Sequence, residues 1–273
     1  MRLRITHETL YAYEKPATYA IQALRLMPRG SDNQYVVDWR IDVSQDCRLA
    51  PVDDHYGNLT HAFSIDGPIA ELSIVASGEV VTEDPTGVLR GVPERMPPKL
   101  YLRDTALTKA DSAIRDFARE VAAGEGGDRL STLHALMRRL NRELRYDREA
   151  TEAATTAAEA FATDHGVCQD LAHIFVSAAR VLDIPARYVS GYMYDPAEPG
   201  PLGASHAWAE AWVGGSLGWI GFDAANDRCP TDAYVRLACG LDYLDAAPIR
   251  GTRYGGDGEA MTVRVTVEKT GEF

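Results

Sequence analysis

The sequence predicts an α+β protein. An all-β region spans residues 1–95, a linker runs to about residue 104, and residues 105–273 form a core of helices packed on an antiparallel sheet. Three observations carry this. The first 82 residues hold runs in which apolar and polar positions alternate, the period of a half-buried strand. Leucines then recur at helical spacing between Thr108 and Leu182. After Pro185 the alternation returns, around a Gly214-Gly215 turn. At 273 residues the chain exceeds the usual ~100–200 for one domain, which suits one large or two moderate units.

The β region reads as strands at Leu3 to Tyr13, Tyr19 to Met27, Tyr35 to Val43, Asn58 to Ile65 and Ile69 to Val81, with Asp66-Gly67-Pro68 and His55-Tyr56-Gly57-Asn58 as turns. Asp53-Asp54-His55 has the residue types of a metal site, but three polar residues in a turn are ordinarily solvated. Pro85, Pro93, Pro97 and Pro98 mark the linker. Thr108 with Asp111 three residues later opens a helix that the Gly124–Gly127 run ends. Leu130, Leu133, Leu136, Met137, Leu140 and Leu144 give a second helix, and Thr156 with Glu159 caps a short third. The fourth runs from Cys168 to Leu182 and stops at Asp183-Ile184-Pro185. Its face of Leu171, Ala172, Phe175, Ala178 and Ala179 is small enough to lie close on a sheet. Arg187 to Tyr194 is a strand, Pro196 to Gly203 a mobile loop, and Tyr234 to Ala238 and Met261 to Val267 are further strands.

Composition narrows the function. With 28 basic and 40 acidic residues the net charge is −12, which excludes a phosphate-backbone partner. Four cysteines without a C-x-x-C pair suit free thiols in a reducing compartment. The N-terminus lacks the apolar run of a signal peptide, and no segment approaches ~18 consecutive apolar residues. The expectation is a cytoplasmic protein with no nucleic-acid or membrane partner.

Three residues form a candidate catalytic set. Cys168 stands where a helix begins, His206 opens an alternating strand and Asp223 closes the next one. The nucleophilic form of cysteine is the thiolate, and a helix N-terminus and a neighbouring imidazolium both favour it. An aspartate on the other ring nitrogen would fix the tautomer and orientation. The Cys168 N–H, without a partner in the first helical turn, is an oxyanion donor. Each residue alone reads as structural, and Cys47, Cys229 and Cys239 are read as packing. The hairpin ties the three together. A two-residue turn at Gly214-Gly215 pairs Val213 with Ser216, Ala207 with Phe222 and His206 with Asp223, which puts every ionisable residue of the hairpin on one face. A three-residue loop would separate His206 from Asp223 unless a bulge intervened. Cys168 and His173 lie five apart, ~140° around a helix, which is not a metal-ligand spacing.

Gly166 to His173, Ile184 to Tyr192, Ser205 to Glu210 and Phe222-Asp223 together resemble the transglutaminase-like core. Leu24 to Pro28 and Tyr56-Gly57-Asn58 resemble the β domain that precedes this core in bacterial members, and Asp242 to Asp245 with Pro248 to Gly251 is similar to their tail. The resemblance implies a papain-like fold with Cys168, His206 and Asp223 as nucleophile, base and orienter. Leu241 departs from it, standing where many members carry an arginine. The implied reaction is acyl transfer on a peptide or protein amide through a thioester, resolved by water in a peptidase or amidase, or by an amine in a cross-linking enzyme. No D-x-[DN]-x-[DN]-G calcium loop occurs, and no metal or cofactor is expected. An arylamine N-acetyltransferase would use the same triad but with helices ahead of the cysteine. An inert peptide-binding module would keep the fold without turnover.

Overall fold

The computed structural model describes residues 1–147, 152–197 and 205–271, so residues 198–203 of the loop expected at Pro196 to Gly203 lie outside the described residues. Strands β1 (Arg2–Leu24), β2 (Gln34–Val43), β3 (Ala50–Asp53) and β4 (Leu59–Thr82) begin an antiparallel sheet in which β1 pairs β4, and β2 and β3 pair the far edge of β4. A short β5 (Val88–Leu89) and a 3-10 turn (Pro98–Leu102) lead to helices α1 (Ser112–Gly124) and α2 (Arg129–Glu143). Then follow β6 (Arg145–Tyr146), α3 (Ala157–Thr163), β7 (His165–Gly166) and α4 (Cys168–Val181). Strands β8 (Ala186–Met193), β9 (Ser205–Gly214), β10 (Gly218–Phe222) and β11 (Tyr234–Gly240) form a second sheet in the order β11-β8-β9-β10-β5. After α5 (Tyr243–Ala246), β12 (Ile249–Gly255) and β13 (Glu259–Lys269) return to the free edge of β1.

The first sheet differs from the expectation in three ways. Strands read separately at Leu3 to Tyr13 and Tyr19 to Met27 are joined in β1, and the two read at Asn58 to Ile65 and Ile69 to Val81 are joined in β4. The break between them is a pair of register shifts, at Ala12/Ala17 and Ala17/Tyr19. Gly67 is there for close approach rather than for a turn, because a Cβ on it would lie 2.2 Å from the Ala17 carbonyl oxygen. Residues 249–269, grouped with the core by composition, hydrogen-bond to β1, while β5 joins the core sheet beside β10. Strand β12 escapes the periodicity test because it is an edge strand with little buried side chain to alternate. At α1, the cap is Asp111, which accepts the Ile114 N–H at 2.9 Å. Thr108 instead accepts from the Arg180 guanidinium at 2.7 Å.

Two cores position the site. Helix α4 lays Ile174, Phe175, Ala178 and Ala179 on Ala209, Ala211, Ile220 and Phe222, with Phe175 stacked on Phe222 at 5.2 Å. Each large apolar side chain buried there contributes about 1.5–3 kcal/mol. The second core joins the sheets. Leu3, Ile5, Val80 and Val265 pack on Tyr188, Tyr192, Ala207 and Val235, and this cluster reaches Cys168 at the start of α4. A buried ionic group pins the linker. Arg187, 1% exposed, bonds Glu210 at 2.6 Å and Glu94 of the linker at 3.1 Å, and lies 4.0 Å over the Trp219 ring. Arg236 bonds the other oxygen of Glu210 at 2.7 Å, so the buried carboxylate meets two cations.

Candidate active site

Cys168 is the first residue of α4, and the residues around it fix that start. The Asp170 carboxylate accepts the Val167 N–H at 2.8 Å, reaching back across the first turn as a capping box does. Gly166 leaves room for that carboxylate, since a Cβ there would lie 2.8 Å from Asp170 Cβ. His206 is the second residue of β9, and Asp223 follows β10, held by a bridge to Arg228.

The hairpin register differs from the one expected. Gly214 pairs Gly218 across a three-residue loop, then the register shifts, and Trp212 pairs Trp219, Glu210 pairs Gly221 and Ala209 pairs Phe222. Beyond the bulge the ladder is displaced by two residues from the expected one. The loop has an odd number of residues and the bulge adds one more, so parity is restored and the polar and apolar faces keep their members. His206 and Asp223 are therefore diagonal neighbours on one face rather than directly opposed. Positive φ at Gly214 (87°), Gly215 (58°) and Gly218 (67°) shows why this turn is glycine-rich.

His206 and Asp223 are both buried, at 6% and 0% exposure. His206 Nε2 meets Asp223 Oδ2 at 2.7 Å, which leaves Nδ1 for the thiol. Burial alone would push the imidazole down, but the Asp223 carboxylate and the Cys168 sulfur outweigh it and lift His206 to about 10. Burial would raise Asp223, and the His206 charge with its hydrogen bonds holds it below the usual carboxylate range. At neutral pH the pair is an imidazolium facing a carboxylate.

Three residues that the sequence did not single out for the site complete it. Tyr234 donates its hydroxyl to Asp223 Oδ2 at 2.6 Å, Asn226 donates its amide to the same oxygen at 2.7 Å, and the Ala225 N–H reaches Oδ1 at 3.0 Å. Arg228 donates Nε to the Tyr234 hydroxyl at 2.9 Å, orienting that proton toward the carboxylate. A signal for Asn226 existed in its place three residues after Asp223, a spacing that closes a turn on the aspartate. Tyr234 sits in an alternating strand and carried none. Among the nearby aromatic residues, Trp208 stacks behind His206 with centroids 6.3 Å apart, and Tyr192 is buried with its hydroxyl 3.0 Å from His7 Nδ1. Tyr146 lies on β6, half exposed.

Cys168 and His206 open on a cleft of about 300 Å³. One wall is the start of α4 with β8 and β9, and the other is the first sheet, through His7, Thr9 and Tyr11 of β1 and Met261 and Val263 of β13. As the first residue of α4, Cys168 has an N–H outside the intrahelical ladder, at the end of the helix where a developing oxyanion is stabilised. The remaining cysteines are unsuited to attack. Burial pushes the Cys229 thiol up to about 11, burial and Asp46 raise Cys47, and Cys239 is buried at 1% exposure. His173 accepts the Tyr243 N–H at 3.0 Å, and burial lowers its pKa to about 3, with Arg180 adding to the effect, so it is a neutral structural group. Asp53 and Asp54, the residues with a metal-like pattern, pair instead with Arg29, Arg95 and Arg25. At Leu241 the backbone carbonyl is held by Arg180 at 2.8 Å.

Residues 115–224 match the family model of the transglutaminase-like superfamily, and residues 3–81 match that of the bacterial transglutaminase-like N-terminal region. An uncharacterized protein of Mycobacterium leprae is 32% identical over 98% of both chains. One of Mycobacterium tuberculosis is 29% identical over 98% of this chain and 92% of its own. A crystal structure from Cytophaga hutchinsonii, provisionally assigned as a cysteine protease, superposes with a TM-score of 0.75 at 20% identity, over 100% of this chain and 92% of that one.

Proposed function

The chain belongs to the transglutaminase-like superfamily, in its bacterial form with the N-terminal β region, and from that premise we propose that it is a cysteine acyl-transfer enzyme that opens an amide bond through a thioester and releases the acyl group to water. The observation that carries this is His206, buried between the Asp223 carboxylate and the Cys168 sulfur and holding its proton to about 10.

Cys168 Sγ attacks the amide carbonyl carbon, and the resulting oxyanion is stabilised by the Cys168 N–H at the helix end. His206 Nδ1 gives its proton to the departing nitrogen as the C–N bond breaks, leaving a thioester and a neutral imidazole. A water then loses its proton to His206 and adds to the thioester carbonyl, and the thiolate leaves as the acid forms. Asp223 keeps Nε2 protonated throughout, and Tyr234 and Asn226 hold Asp223. Water is taken as the acceptor because the cleft opens to solvent, so water reaches the thioester without a second binding partner. Free thiols at all four cysteines support a reducing, cytoplasmic setting.

A glutamine-containing peptide library, incubated with the protein with and without a labelled amine and read by mass, tests the proposal. Cleaved or deamidated peptides that vanish with Cys168→Ala support hydrolysis. Amine-joined products in excess of hydrolysed ones turn the assignment to transamidation, and unchanged peptides across a diverse library refute the activity.

A further inference from the structure

We infer that the face of the β1/β13 ladder is the specificity wall for the acyl group, and that it selects an extended peptide segment carrying uncharged, apolar side chains at two positions two residues apart. This rests on the thioester reading above. After the leaving group departs, only the acyl part stays attached to Cys168, so the walls meeting at that sulfur must accommodate it.

The register gives the wall its pattern. His7 opposes Val265, Thr9 opposes Val263 and Tyr11 opposes Met261, and directly opposed residues share a face. Exposure on β13 rises away from the packed seam, from 2% at Val265 to 37% at Val263 and 58% at Met261. The two outer pairs line the cleft together with Cys168 and His206. Successive pairs are two residues apart, ~6.6–6.8 Å along a strand, which equals the repeat of alternate side chains on an extended peptide. A peptide lying along the ladder thus sets alternate side chains over Thr9–Val263 and over Tyr11–Met261, with the residue between them turned away.

The wall itself carries no charged side chain, the His206 imidazolium standing on the opposite wall of the cleft. Among the described residues the cleft lining contains no Asp, Glu, Lys or Arg, in a protein whose net charge is −12. His7, at its inner end, is tied to Tyr192 at 3.0 Å and Thr9 at 3.2 Å, and burial lowers it to about 4, so it too is neutral near pH 7. A lysine or glutamate lying against this surface would give up part of its hydration and find no charged partner on the wall.

Peptidyl chloromethyl ketones test this without a known substrate, because the Cys168 sulfur displaces chloride and the rate of alkylation reports peptide binding. Tetrapeptide probes carrying Leu, Glu or Lys at one of the two alternate positions are compared by mass at Cys168, alongside plain iodoacetamide. The expected result is a Leu probe at least about tenfold faster than the Glu and Lys probes, the discrimination an apolar site supports. Val263→Asp, and separately Met261→Asp, both exposed enough to be accommodated, should raise the Lys probe relative to the Leu probe by about tenfold. Equal rates for the three probes, with iodoacetamide still selecting Cys168, overturn the specificity wall and leave the thiol chemistry standing. Failure of iodoacetamide to select Cys168 overturns both.

Discussion

Asp223→Asn removes one charge and little volume, and its consequence can be worked from the site. The Asp223 Oδ2 atom accepts from His206 at 2.7 Å, from Tyr234 at 2.6 Å and from Asn226 at 2.7 Å. With charge centres ~4 Å apart and an effective dielectric of ~20, the carboxylate contributes about 4 kcal/mol to the imidazolium. That is about a thousandfold in the population of the charged ring. Without it, burial is opposed by the Cys168 sulfur alone, and His206 falls about a thousandfold in proton affinity, from about 10 to near its ordinary value, so that much of it is neutral at pH 7. A neutral imidazole no longer supplies the positive charge that activates a cysteine sulfur for attack. The assay is the second-order rate of iodoacetamide alkylation of Cys168 at pH 7, read by peptide mass, with circular dichroism to confirm the fold. The Asp223→Asn variant should alkylate at Cys168 at least about a hundredfold more slowly than the native chain. A folded variant whose rate stays within about threefold of native would refute the charge argument.

Tyr234→Phe deletes one donor to Asp223 and should slow the same alkylation by about tenfold, the value of one hydrogen bond to a charged group. Glu210→Ala leaves Arg187 and Arg236 facing each other without their shared carboxylate and should cost about 3–5 kcal/mol, measured from the urea midpoint. Gly191→Ala would place a Cβ 2.2 Å from the Val235 carbonyl oxygen and 2.6 Å from the Trp208 ring, so a markedly lowered Tm is expected. Acid should destabilise the fold in two stages. His7 and His173, lowered by burial to about 4 and about 3, bind protons more readily when unfolded, so stability falls as pH drops from ~6.5 to about 3, and His7→Gln should make that stage shallower while the His173 share remains. Glu210, lowered to about 2 by the two arginines against its burial, supplies stability above ~4.5 that is lost as pH falls through about 2. Urea midpoints across this pH range check both.

Local signals were legible where one residue decides one feature. The Thr156–Glu159 capping box is present, with the Glu159 N–H on the threonine oxygen at 3.2 Å and the Thr156 N–H on the glutamate at 2.9 Å. The small face of α4 meets the apolar face of β9 and β10 as its alanines require. Cys168, His206 and Asp223 could be singled out because a helix start and two strand ends carry them, and the structure puts His206 on Asp223 at 2.7 Å and in one cleft with Cys168. What was not legible depends on which backbone finds which. A bulge at the β9–β10 turn replaced the simple two-residue turn, since side-chain parity fixes faces but not the absolute register. The return of β12 and β13 to β1 is a choice of edge that composition does not encode. Arg187, Glu210, Arg236 and Glu94 come from four separate segments, and no spacing links them. Tyr234 was hidden in the same way, reaching Asp223 from the next strand over a loop.

The most direct measurement is the site of acylation. Brief exposure of the full chain to p-nitrophenyl acetate at pH 7, followed by peptide mass analysis, should find the acetyl group on Cys168 alone, discharged by water and lost in both Cys168→Ala and His206→Ala. Acetylation spread evenly over Cys47, Cys168, Cys229 and Cys239, or unaffected by His206→Ala, would contradict the assembled nucleophile.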